Sequence, residues 1–420
     1  MRILQISTAD RGGGAEAVAL ALQRGLRARG HEAWLAVGYR RTDEQSVVEI
    51  GGAGSRRRRA LTDPGVLLDV ARGHEDFRFP ASRRVLDLVP AAPDVVHVHN
   101  LHGGYFDLRA LPDLARRAPL AATLHDAWLL TGHCAHPLES NGWLRGCGDC
   151  PHLDTFPALR RDGTAFNLAR KRSIYEGLQL AVVTPSRWLM DMVERSILAP
   201  AVVRRVVIPN GVDLDRFAPG DRAQARRALD VAPDVSLLVF AAQGGRTNEF
   251  KDFPTLRAAL ARLESPVVAV ALGDPTADEE RVGQATLRAV GCVSPEDVAR
   301  WLRAADLYVH PSRADTFPSG VLEALACGTP VVASRVGGIQ EQVHNETGIL
   351  VEPGDPAALA AAIESLLADP SRRQRMSAAA AEDARVRFSV DCQIDAYLAL
   401  HVELAGRGPG LVPRPRVGGG

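Results

Sequence analysis

Short apolar runs alternate with amphipathic stretches along most of the chain. "RILQIS" (2–7) reads as a strand and is followed by helical spacing over 15–29, closed by Gly30. "EAWLAVG" (32–38), "DVVHVHN" (94–100), "LAATLHD" (120–126) and "LAVVTPS" (180–186) read as further strands. After residue 230 a second series begins: "SLLVFAA" (236–242), "VVAVALG" (267–273), "LYVHPS" (307–312) and "PVVAS" (330–334). Helical spacing separates these runs at 254–263, 295–304, 319–327, 338–344 and 356–368, and one long pattern covers 376–404. Strands that alternate with helices predict parallel sheets covered on both faces.

The two series are joined by "VVIPNGVDLDRFAPGD" (206–221), whose Pro209, Asn-Gly pair and Pro219 are turn chemistry. The expected division is therefore 1–208, a first Rossmann-like domain, and 209–385, a second. A C-terminal helix at 386–405, crossing back to the first domain, and a Gly/Pro-rich disordered tail at 406–420 complete the expectation.

Composition narrows the class. The 420 residues carry 50 acidic and 50 basic side chains, so no global field draws the chain to nucleic acid. No apolar run reaches membrane-spanning length, and the opening residues lack the pattern of a signal peptide, so a cytoplasmic location is expected. The run Arg56 to Arg59 could meet anionic lipid at a membrane's inner face, or it is a solvated charge run. Six cysteines, of which only Cys134, Cys147 and Cys150 cluster, do not form a disulfide framework.

In open parallel sheets ligands bind beyond the carboxyl ends of strands. Three segments there carry candidate chemistry. "DRGGGAEAV" places Gly12, Gly13 and Gly14 at a helix start, where a phosphate or sugar could approach backbone N–H groups. The acid that a dinucleotide fold needs about 20 residues later is replaced by Gly38-Tyr39-Arg40-Arg41, which disfavours NAD and leaves an NADP reading open. "GGRTNEFKD" sets Arg246 and Lys251 five residues apart, two cations suited to a diphosphate or simply two surface bases. In "SRADTFPSGVLEALACGTPVVAS", Pro318 begins a helix whose first N–H groups, near Ser319 to Leu322, form an anion site. Glu323 suits ribose hydroxyls and Asp315 the sugar, or both merely favour the helix dipole.

"DTFPSGVLEALACGTPVVAS" resembles the E-x7-E segment of retaining GT-B glycosyltransferases of family 4, with Asp315 in place of the usual first Glu. "GGRTNEFKD" is similar to that family's diphosphate clamp, "IPNGVDLDRF" to its interdomain connector and "RGGGAE" to its glycine loop. The resemblance implies two Rossmann-like domains facing across a cleft, with the acceptor held mainly by the first. It implies a nucleotide-sugar donor (a UDP-, GDP- or ADP-sugar) held mainly by the second, touching Gly13, Gly14, Arg246, Lys251, Asp315, Phe317, Pro318, Ser319, Gly320, Val321 and Glu323. It further implies anomeric retention without a required metal, and a saccharide, lipid-linked or small-molecule acceptor. His125, at a strand end, matches a histidine that touches the donor sugar near the reacting carbon, so His125, Asp315, Arg246 and Lys251 are the expected catalytic groups.

The stretch 123–151 resembles a colanic-acid-type branch that bears four cysteines, with Ser140 standing where the fourth is expected. The resemblance implies a role in polysaccharide or glycoconjugate synthesis. A structural zinc on Cys134, Cys147, Cys150 and His136 (or His133 or His152) is one reading, and three reduced thiols in an irregular loop the other. Two other functions stay open at this stage, an NADP-linked oxidoreductase and a non-catalytic nucleotide-sugar sensor.

Overall fold

The computed structural model describes residues 1–51, 63–242, 244–274 and 276–408. The arginine run 56–59 and the end of the expected tail lie outside the described residues. The chain divides into two compact units, one of Met1–Ile208 with the residues from Ile394 on, the other Pro209–Gln393.

Among the described residues the first unit holds seven strands: β1 (Arg2–Ala9), β2 (Glu32–Tyr39), β3 (Val47–Glu49), β4 (Val95–Val98), β5 (Leu120–Thr123), β6 (Leu180–Thr184) and β7 (Val202–Val207). Their order is β3-β2-β1-β4-β5-β6-β7, with every pairing parallel. The second unit holds β8 (Ser236–Ala241), β9 (Val267–Leu272), β10 (Asp278–Val282), β11 (Ala285–Val290), β12 (Leu307–His310), β13 (Val331–Ser334) and β14 (Gly348–Val351). Their order is β10-β11-β9-β8-β12-β13-β14, with only β10 antiparallel. Each sheet therefore reverses direction once, at β1/β4 in the first and β8/β12 in the second. These are the places where a crevice opens beyond the strand ends.

All nine strands read from the sequence are present. Of the five that escaped it, three are short or charged edge strands: β3 has three residues, β7 is interrupted by Arg204 and Arg205, and β10 is the acidic "DEERV". Charge on an edge strand blocks further pairing and hides the strand's apolar signal.

The long helical pattern 376–404 is two helices, Pro370–Arg387 and Val390–Arg407. The break is a backbone clasp: Val212 N–H donates to the Phe388 carbonyl (2.7 Å), and Val390 N–H to the Val212 carbonyl (3.0 Å). The last helix thus begins after residue 386 and runs past 405, into the stretch expected as tail. From Ile394 it belongs to the first unit, where Tyr397, His401 and Leu404 are fully buried. It lies so close to the helix Gly14–Ala28 that a Cβ on Gly25 would sit 2.2 Å from the Ile394 side chain.

Candidate functional site

The reversal in the second sheet brings together the loops after β8 and β12. After β8, two turns of 3-10 helix, Gly245–Thr247 and Glu249–Lys251, carry the two cations. They are not bare. Arg246 Nε donates to Asp274 Oδ2 (2.8 Å), and its Nη2 to Thr276 Oγ1 (2.9 Å) and Asp278 Oδ2 (2.8 Å). Lys251 Nζ is ion-paired to Asp315 Oδ2. These acids aim the cations without exhausting them. Lysine has three N–H donors, of which Asp315 takes one, and both N–H groups of Arg246 Nη1 lack a partner among the described residues.

At the end of β12, His310 Nε2 lies 3.0 Å from Asp315 Oδ2 and 2.9 Å from Ser312 Oγ, and its Nδ1 lies 3.3 Å from Tyr308 OH. Burial alone would raise the Asp315 carboxyl, but Lys251 and His310 more than offset it and hold it well below the usual carboxylate range. His310 is pushed down by burial and by Lys251, so it is neutral at pH 7. The loop is fixed from three sides: Asn210 Nδ2 donates to the Phe317 carbonyl (3.2 Å), Gln342 Nε2 to the Pro318 carbonyl (3.1 Å), and Arg313 N–H to the Phe250 carbonyl (2.8 Å).

The helix Ser319–Ala326 starts at Pro318 with no side-chain cap. The N–H groups of Ser319, Gly320 and Val321 therefore face a position that no acceptor fills among the described residues, a ready anion site. Gly320 is required there, because a Cβ would meet Tyr308 OH at 2.5 Å. One turn in, Glu323 is partly exposed and its carboxyl has no hydrogen bond among the described residues. Burial pushes it up to about 7, only weakly opposed by Arg216.

The reversal in the first sheet is built differently. Gly13 N–H, at the start of the helix Gly14–Ala28, already donates to Glu16 Oε2 (2.9 Å). A pyrophosphate at this glycine loop would have to displace a carboxylate, which weighs against the NADP reading. Gly14 opens the helix. Asp10, fully buried after β1, accepts from the N–H groups of Arg41 (2.7 Å) and Thr42 (2.9 Å) and ties down the loop after β2. His125, after β5, is partly exposed, and its Nε2 lies 3.0 Å from His99 Nδ1. Burial pushes His125 down to about 4, so it is a neutral imidazole at pH 7.

Sequence reasoning placed His97 and His99 on one face, and their rings do stack at 4.5 Å. It missed Asp274, His310, Tyr308 and Gln5, which lie inside strands or directly behind them and carry no motif. It also missed Lys171, a fully buried lysine that donates to Glu75 and to the carbonyls of Trp128 (2.8 Å) and Thr131 (3.0 Å), and so anchors the loop after His125.

Among the described residues no three His, Cys, Asp or Glu side chains are placed to hold a metal ion. The set Cys134, His136, Cys147 and Cys150 is therefore not assembled. Cys134, Cys147, Cys150, His133 and His152 line one small cavity, and His133 Nε2 approaches Cys150 Sγ at 3.5 Å. Burial raises all three thiols, Cys134 to about 12, as expected of protonated side chains. Among the described residues no helix is long and apolar enough to cross a membrane.

The fold recurs in solved structures. Sucrose-phosphate synthase from Thermosynechococcus elongatus superposes with a TM-score of 0.69 at 20% identity, over 97% of this chain and all of that one. HepE of Anabaena in complex with UDP-glucose gives 0.64 at 20% identity, over 95% of this chain and all of that one. Among curated proteins, a D-inositol 3-phosphate glycosyltransferase of Geodermatophilus obscurus is 39% identical over 236 residues, and the match spans about half of each chain. D-inositol 3-phosphate glycosyltransferase 1 of Catenulispora acidiphila is 32% identical over 335 residues, 74% of this chain and 72% of that one. None of these relatives singles out the colanic-acid-type branch. Family models described as Glycosyltransferase Family 4 and Glycosyl transferases group 1 match residues 12–216 and 238–369. With two parallel-sheet units of GT-B type and these matches, the chain belongs to the glycosyltransferases of family 4, group 1.

Proposed function

We propose that the chain transfers a sugar from a nucleoside-diphosphate sugar to an acceptor hydroxyl, with retention at the anomeric carbon. The observation that carries this reading is the uncapped start of the helix Ser319–Ala326 beside Lys251, with an unpartnered Glu323 one turn in. The diphosphate takes the N–H groups of Ser319, Gly320 and Val321 together with the free donors of Lys251 and Arg246. Phe317 and Pro318 shape the entry to that site. Glu323 accepts from the ribose hydroxyls, and the exposed edge of Asp315 meets the sugar. The acceptor oxygen bonds to the anomeric carbon as the bond to the diphosphate oxygen breaks on the same face, and the hydroxyl proton passes to the departing phosphate. Fixed cations and N–H groups stabilise the charge that develops on that oxygen.

HepE, a structural neighbour, is seen with UDP-glucose, and the relatives are named for D-inositol 3-phosphate. A UDP-sugar and a polyol phosphate are accordingly the first pair to assay. A saccharide acceptor in polysaccharide synthesis is the second. The test begins with a thermal-shift screen of UDP-, GDP- and ADP-sugars, since a ligand at 100 times its Kd stabilises by about 2.7 kcal/mol. It continues with NMR of the product formed from the stabilising donor. A donor-dependent product with the donor's anomeric configuration is expected. An inverted product would overturn retention, and stabilisation by no nucleotide sugar would overturn the donor site.

A further inference from the structure

Gln5 is a fully buried amide in the middle of the apolar strand β1. Its orientation is decided by two backbone groups of the helix Gly14–Ala28, one turn apart. The Ala19 carbonyl can only accept, and the Gln23 N–H can only donate. The Gln5 nitrogen therefore faces Ala19 O (3.3 Å), and its oxygen accepts from Gln23 N–H (3.1 Å). In that orientation the same NH2 group donates to His99 Nε2 (2.9 Å).

The consequence travels outward. His99 is buried, and burial pushes its imidazole well down, so it is neutral and has one donor and one acceptor nitrogen. With Nε2 accepting from Gln5, its proton must sit on Nδ1, which lies 3.0 Å from His125 Nε2. His125 Nε2 is then an acceptor, so the proton of neutral His125 sits on Nδ1. Among the described residues that nitrogen has no protein partner. Which nitrogen of a histidine carries the proton is set by the bond that the other one makes. Here that choice is made two residues away, by a helix backbone.

We propose that Gln5 and His99 are positioning residues that lock His125 as an Nδ1–H hydrogen-bond donor toward substrate. The role of His125 toward substrate rests on the glycosyl-transfer reading above, but its tautomer does not. A purely structural role for Gln5 and His99, as polar filler beneath the helix, would fix no tautomer at His125.

The experiment is a long-range proton–nitrogen correlation spectrum of the full chain labelled with 15N-histidine at pH 7.5. The His125 signal is assigned through His125→Asn. A pyrrole-type Nδ1 and a pyridine-type Nε2 are expected at both His125 and His99. An Nε2–H tautomer or a mixture at His125 would overturn the proposal. In Gln5→Leu, His99 loses its donor, and the pure Nδ1–H signal of His125 should be lost. Retention of that signal in a folded Gln5→Leu protein would remove Gln5 from the relay. If the chain transfers sugars, Gln5→Leu also lowers kcat by roughly 10-fold or more with little change in donor KM. A locked tautomer with unchanged kcat would keep the relay and sink the catalytic role of His125.

Discussion

The two sheets reverse at equivalent places, and each reversal carries a helix N-terminus, yet the two are finished in opposite ways. In the first unit Glu16 turns back onto Gly13 N–H, and the nearby histidines are neutral. In the second unit Pro318 caps nothing, and the adjoining loops hold a lysine, an arginine and their acids. One reversal folds an acid back onto its own helix start, and the other leaves its helix start uncapped for a ligand. A glycine-rich turn is thus a poor guide to an anion site. What decides is whether a side chain has already taken the N–H groups.

The largest effect that could break this contrast is at the second reversal. On the proposed mechanism Lys251→Ala should lower turnover by roughly 10²- to 10³-fold, because it removes a fixed cation near the leaving oxygen and leaves Asp315 with His310 alone. Steady-state kinetics alongside circular dichroism check this, and a folded variant within a few-fold of wild type would dissolve the clamp.

Next in size is an opposed pH response. A folded-state pKa of about 7 for Glu323 lies above the unfolded carboxyl value, so the folded chain binds more protons and loses stability as pH rises from about 4.5 through 7. Glu323→Gln should therefore melt higher than wild type at pH 8, with the gap closing by pH 5. The histidines of the first unit act with the other sign. Folded values of about 4 for His125 and His401 lie below the unfolded value, so stability is lost as pH falls from about 6.5 toward 4. Hydrogen exchange resolved by peptide should show protection lost on acidification first around β4 and β5. Uniform loss over both units would refute the contrast.

The smallest effect sharpens it. Glu16→Ala frees Gly13 N–H and should cost about 1 kcal/mol of stability, the usual worth of a cap, while donor KM stays within about twofold. A large rise in KM would show that the first glycine loop does take part in donor binding.

Much of this was legible in the sequence where local pattern and function coincide. Strand β12, the turn at Pro318 and the helix after it are one continuous signal, so Asp315 and Glu323 could be placed before any fold was known. The partners could not. Asp274 meets Arg246 from 28 residues away, and Gln5 meets His99 from 94 away, through sheet pairings that no short spacing records. The break at Phe388 was equally hidden. Helical periodicity continues across it, and only the backbone of Val212, far back in the chain, interrupts the helix.

The returning helix has a consequence for the order in which the molecule is made. Residues 1–208 leave the ribosome before residues 394–407, which complete the cover of their sheet by burying Tyr397 against Thr123 and His401 against His97. The second unit, complete by residue 393, can close while the first still waits with apolar surface exposed. The part synthesised first is therefore finished last.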